Sequence, residues 1–93
     1  MHNIQTKPTL FGYGITTKAI AKKLGGNCTF FDDNVKEAYT DDEGNTINPS
    51  HLFDPEISQL EVTTPSLKPN HPLIKSAKHL LSEYDYFAQE MPF

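Results

Sequence analysis

"TLFGYGITTKAIAKKL", Thr9 to Leu24, is the stretch on which the fold turns. Thr9-Leu10-Phe11 is a short apolar run bounded by Pro8 and Gly12, and it reads as a buried strand. From Thr16 the period becomes helical. Ala19, Ile20 and Leu24 share one face, while Lys18, Lys22 and Lys23 look outward, and Gly25-Gly26 stops the helix. Cys28-Thr29-Phe30-Phe31 then reads as a second strand that ends at Asp32-Asp33-Asn34. A strand, a helix and a strand in this succession predict a right-handed parallel unit.

Outward from this unit the signals are less regular. "KEAYTDDEGNTINP" holds a turn, Asp41-Asp42-Glu43-Gly44, between two β-compatible pieces, and predicts a hairpin or a further short strand within 38–48. "DPEIS" predicts a single helical turn with Asp54 as cap and Pro55 in the first position. Leu60 and Val62 alternate with Glu61 and Thr63, the pattern of a half-buried strand over 60–63 that Pro65 ends. Asn70 or His71 caps a second helix with Pro72 in its first turn, and Leu73, Ile74, Ala77 and Leu80 or Leu81 form its apolar stripe. A short strand near 80–82 follows. The closing "EYDYFAQEMPF" is unusually aromatic for a free terminus, which suggests that a larger protein continues there. The fold expected is α/β: a three-layer, incomplete Rossmann-like domain over residues 1–93, with a mainly parallel sheet of about five strands.

Composition narrows the function. The 93 residues suffice for one small domain with one core. No apolar run is long enough to cross a bilayer, and "MHNIQTKP" has no signal pattern. Cys28 can form no internal disulfide, which fits a cytoplasmic location. The formal charge is −4 and every basic side chain is lysine. An acidic chain without arginine is poorly suited to nucleic acid, and it lacks the residue that often receives the 2'-phosphate of NADP.

Gly12-x-Gly14 stands between a strand and a helix, the context in which such a loop cradles a phosphate. Gly12 permits the tight turn and Gly14 permits close approach of the backbone. The N–H groups around Ile15, Thr16 and Thr17 would face the anion, aided by the helix dipole. Thr17 occupies the place of the third glycine of the dinucleotide fingerprint, which weakens an NAD reading, although the two threonine hydroxyls add donors. The blander reading is a tight turn with Thr16 as an ordinary N-cap. Asp32, about 20 residues beyond the first glycine, sits where this fold puts a ribose-binding acid. Alternatively it is a solvated turn acid beside Asp33. Glu37, Asp41, Asp42 and Glu43 read as a solvated acidic loop rather than a metal site. His2, His51, His71 and His79 show no short metal-ligand pairing; His71 reads as a helix-start residue and His79 as an exposed helix position. Cys28 reads as buried and inert. Neither a Walker loop nor a nucleophile elbow is present.

Taken together, "LFGYGITTKAIA", "FFDDN" and "VTTPSLKPNHPLIKSA" resemble, in order and spacing, the amino-terminal domain of the Mur ligases, and "SEYDYF" resembles that family's exit from its first domain. The resemblance implies a domain that holds the UDP part of a nucleotide-sugar substrate, UDP-N-acetylmuramoyl-L-alanine, in cytoplasmic peptidoglycan-precursor synthesis. It implies that Gly12, Tyr13, Gly14, Ile15, Thr16 and Thr17 form the diphosphate loop. Asp32, Asp33 and Asn34 would form the uracil- and ribose-facing turn, and Thr64, Pro65 and Ser66 a second substrate loop. ATP, Mg and the acyl-phosphate chemistry would belong to central and carboxy-terminal domains outside these 93 residues, so this chain alone would be inactive, with no cofactor, catalytic residue or metal of its own. Nucleic acid and membrane are not expected as partners. Two departures stand out: Ser66 replaces a glycine, and Asn34 stands where some relatives carry arginine. The rival reading is a small NAD- or nucleotide-sensing regulatory module; a further one is a structural interaction domain using the aromatic tail.

Overall fold

The computed structural model describes residues 7–57, 60–64, 67–68, 70–82 and 85–86. Thr9–Phe11 forms β1, Ile15–Lys23 forms α1 and Thr29–Asp32 forms β2, as the opening stretch predicts. β1 and β2 pair in parallel, with Leu10 opposite Phe30 and Phe11 opposite Phe31. Tyr39–Thr40 (β3) and Thr46–Pro49 (β4) pair antiparallel, and β4 lies parallel to β2. Glu61–Thr63 (β5) and Leu80–Ser82 (β6) extend the other side of β1, again in parallel. The sheet has six strands in the order β3-β4-β2-β1-β5-β6, where about five were expected, because the 38–48 region contributes both arms of a hairpin.

Both faces of the sheet are covered. Ile20 and Ala21 of α1 pack with Leu10, Phe30, Ile47 and Val62 on one face. Leu73 of the second helix, α2 (Pro72–Ser76), packs with Phe11 and Phe31 on the other. Burial on both faces corrects the alternation read in Leu60–Thr63. Glu61 and Val62 are both fully buried, because a strand inside a sheet with two covered faces has no solvent side. Glu61 takes the N–H of His79 on Oε1 at 2.9 Å.

That contact also accounts for the length of α2. The apolar stripe predicts helix through Leu80, yet Ala77 turns extended (φ −67°, ψ 139°). The Glu61 N–H bonds to the His79 carbonyl at 3.2 Å and β6 joins β5, so the sheet ladder replaces the helical bonds. Ala77 and Leu80 still pack against the Phe11 cluster. His79 is therefore a strand-entry residue, not a position on a helix face. Tyr86 is buried in the Leu10 cluster; the remaining aromatic residues of the closing segment lie outside the described residues. No helix among the described residues is long and apolar enough to cross a membrane.

Candidate functional site

In a parallel sheet the loops that leave the carboxyl ends of neighbouring strands in opposite directions open a crevice between them. Here β1 leads toward β2 on one side, and β5 leads toward β6 on the other. The loops after β1 and β5 face each other across that crevice. Gly12, Tyr13, Gly14, Asp32 and Thr64 line a hollow of about 120 Å³ there. It continues into a cleft of about 240 Å³ lined by Gly12, Asp32, Asp33, Asn34, Leu67 and His71. The structure thus gathers the glycine loop, the acidic turn and Thr64 at one edge. Pro65 and Ser66 lie outside the described residues.

The glycine loop is built by its neighbours. Gly12 adopts φ +87°, a conformation that favours glycine, and its N–H donates to the Phe31 carbonyl at 2.8 Å. Thr17 is fully buried; its hydroxyl donates to the Gly12 carbonyl at 2.6 Å and accepts from the Gly14 N–H at 3.1 Å. That hydroxyl shapes the loop from beneath. The N-cap of α1 is Gly14 and the helix begins at Ile15, one residue before the expected start. Glycine has no side chain with which to cap, and no acidic residue stands in the first turn. The first helical N–H groups therefore have no side-chain acceptor at the cap position, and that helix end suits an anion. Ile15 and Thr16 are exposed beside it, Ile15 at 91%.

Asp32 lies at the end of β2 and faces the loop. Its Oδ2 accepts from the Tyr13 N–H at 2.6 Å and its Oδ1 from the Asn34 N–H at 2.7 Å. Asp33 turns the other way. It accepts from the Ser50 hydroxyl at 2.6 Å, and its Oδ2 lies 2.6 Å from His71 Nε2. His71 Nδ1 accepts from the Leu73 N–H at 3.0 Å as the cap of α2, which leaves the ring proton on Nε2 to donate to Asp33. The hydrogen bonds from Ser50, then from His71, hold the Asp33 carboxyl below its usual value against partial burial. Ser50 and His71 as partners of Asp33 were not visible in the sequence, although His71-Pro72 did mark a helix start.

The larger surprise is Asp41, read from the sequence as part of a solvated acidic loop. Its Oδ2 accepts from the Tyr13 hydroxyl at 2.7 Å and from Asn45 Nδ2 at 2.9 Å. Its Oδ1 accepts the N–H groups of Glu43 and Asn45, each at 2.9 Å. Desolvation pushes this carboxyl up, but the bonds from Tyr13, Asn45 and Glu43 outweigh it and hold it at about 2. The same bond to Asp41, with desolvation, pushes the Tyr13 phenol up to about 12. An aspartate followed by Gly and Asn three and four residues on is a turn signal that could have hinted at this role.

A pH dependence follows from these two shifts. A depressed carboxyl contributes stability above its unfolded value, and that contribution is lost as pH falls through the folded value of about 2. The wild-type protein should melt higher than Asp41→Asn at pH 6, with the difference shrinking between about pH 4 and 2. A raised phenol contributes stability below its unfolded value and loses it as pH climbs through about 12. Thermal melts across pH measure both limbs; a difference from Asp41→Asn that persists undiminished at pH 2 would contradict the assignment.

Among the described residues no three His, Cys, Asp or Glu side chains converge where they could hold a metal ion. Cys28 is buried, and burial pushes its thiol up, which disfavours the reactive thiolate.

No family model matches the chain, and no solved structure matches it. Curated proteins do. The chain is 47% identical over 83 residues to "UDP-N-acetylmuramoylalanine--D-glutamate ligase" of Helicobacter pylori strain HPAG1, covering 86% of this chain and 20% of that protein. It is 43% identical over 89 residues to the protein of the same name from Campylobacter jejuni strain RM1221, covering 92% of this chain and 22% of that protein. A second Helicobacter pylori strain, 26695, has such a protein at 45% identity over 83 residues. The chain spans about a fifth of the length of these relatives and matches their amino-terminal part.

Proposed function

We propose that this chain, a relative of the amino-terminal part of the Mur ligases, binds the UDP moiety of UDP-N-acetylmuramoyl-L-alanine for an ATP-dependent ligase that adds D-glutamate to it. The step belongs to peptidoglycan-precursor synthesis in the cytoplasm. The observation that carries this reading is the hollow shared by Gly12, Gly14, Asp32 and Thr64 at the carboxyl edge of β1, β2 and β5. Its position beyond the strand ends and its glycine and acid lining support a Rossmann-like nucleotide reading. The diphosphate would lie against the first turn of α1, drawn by its N–H groups and dipole. Asp32 and its turn would face the ribose and uracil. Asp32 already accepts two backbone N–H groups, so it acts on the nucleotide both directly, through its remaining lone pairs, and by fixing Tyr13.

The glycine loop lacks the phosphate-loop pattern that serves ATP. Gly12-Tyr13-Gly14-Ile15-Thr16 carries no lysine of the kind that holds β- and γ-phosphates. In this reading ATP and Mg are bound by the remaining domains of the ligase, and this chain contributes substrate binding only.

An NMR titration with UDP, run in parallel with NAD, tests the assignment. UDP should move the amides of 12–17 and 32–34, with a dissociation constant on the order of 0.1–1 mM, because the sugar-peptide half would be held elsewhere. Equal or larger shifts with NAD would favour a dinucleotide sensor, and no shift with either would leave the loop as a turn.

A further inference from the structure

We infer that Asp41, on the turn between β3 and β4, is a positioning residue that sets the Gly12–Gly14 loop through the hydroxyl of Tyr13. The inference rests on the nucleotide reading above for its consequence, not for its geometry. Tyr13 is the only residue of the loop between the two glycines, and it is held at both ends. Asp32 takes its N–H at 2.6 Å, and Asp41 takes its hydroxyl at 2.7 Å. Between these anchors the ring stands edge-on to Phe30, with centroids 4.9 Å apart, and Lys18 Nζ lies 4.2 Å above its centroid. Two glycines flanking an unanchored residue would leave the loop many backbone states, each of which binding would have to exclude.

Asp41 is itself a fixed point. Beyond its bonds to the Glu43 and Asn45 N–H groups, it holds the side chain of Asn45, which is only 3% exposed. Asn45 Oδ1 in turn accepts the Cys28 N–H at 2.9 Å, at the entry to β2. A continuous run of hydrogen bonds thus links the start of β2, through the hairpin turn, to the glycine loop at the far end of β1. Charge alone does not explain the arrangement. Asp42 and Glu43 carry the same charge on the same turn and are exposed, whereas Asp41 alone meets the Tyr13 hydroxyl. Removing that bond frees the Tyr13 ring and lowers the population of the binding-competent loop, which weakens binding in proportion.

The test compares wild type, Asp41→Ala, Tyr13→Phe, the double variant and Asp42→Asn, each observed by amide NMR without ligand and then titrated with UDP. Tyr13→Phe removes one hydroxyl and leaves the hairpin's own bonds intact, so it decides the matter even where Asp41→Ala fails to fold. Each single change should shift the Gly12 and Gly14 amides of the free protein and weaken UDP binding about threefold to tenfold. The double variant should bind no more weakly than Asp41→Ala alone, and Asp42→Asn should behave as wild type. A merely structural role would lower the melting temperature while leaving the affinity of the folded protein unchanged. Wild-type glycine amides and wild-type affinity in Tyr13→Phe would overturn the inference. So would full additivity of the two losses in the double variant. A wild-type protein that ignores UDP would sink the nucleotide reading instead, and the ligand-free glycine amides would still decide whether Asp41 sets the loop.

Discussion

Replacing Gly14 by valine should weaken UDP binding at least about tenfold and leave the fold standing. Gly14 has φ −124° and ψ −173°, extended backbone that any residue adopts. A Cβ built there meets nothing within 4 Å, so the protein itself has room for the side chain. What the added bulk occupies is the approach to the first turn of α1, where the diphosphate would lie. Affinity should fall at least about tenfold, which moves a dissociation constant on the order of 0.1–1 mM to about 1–10 mM or weaker. Stability should drop by about 1 kcal/mol, because glycine is favoured over valine at the N-cap that Gly14 occupies. Thermal melting and a UDP titration on the same sample separate the two effects. UDP shifts at 12–17 retained with wild-type affinity in a folded Gly14→Val protein would remove the diphosphate from this loop.

Gly26→Ala should be the most damaging single methyl in the domain. Gly26 sits just past the end of α1 with φ +79°, and a Cβ there would lie 2.2 Å from the Glu43 carbonyl oxygen and 3.3 Å from its carbon. Backbone cannot swing aside as a side-chain tip can. Moving Glu43 would also disturb the Asn27 N–H bond to that carbonyl, at 3.2 Å, and the turn on which Asp41 depends. A loss of about 3 kcal/mol or more is expected, a large share of the stability of a small domain. Gly25→Ala is the natural control. Gly25 also has positive φ, +89°, yet no atom lies within 4 Å of its built Cβ. It should cost only about 1 kcal/mol, the conformational penalty by itself. Denaturant melts of the pair isolate the collision, and equal losses would show that Glu43 yields.

The strand–helix–strand unit from Thr9 to Asp32, its glycine loop and the acid at the end of its second strand are legible in the amino-acid sequence. These rest on signals a few residues long: an apolar run, a helical period, a glycine stop. The sequence also carried the short strand near 80–82 and narrowed the cap of α2 to Asn70 or His71, since Pro72 in the first turn acts locally. What each polar side chain meets depends on the packing of distant segments. Glu61 sits in a strand that looks half-exposed by its alternation, but helices cover both faces of the sheet and bury it. α2 ends at Ser76 because β5 claims the backbone of His79, a competition between residues 18 apart in sequence. Asp41 looks like one acid among several on a loop, and becomes the partner of Tyr13 only when β4 docks beside β2 and brings its turn over the ring. Local signals act through neighbouring backbone dihedrals, whereas hydrogen bonds across 18 to 28 positions exist only once the sheet order has brought their partners together.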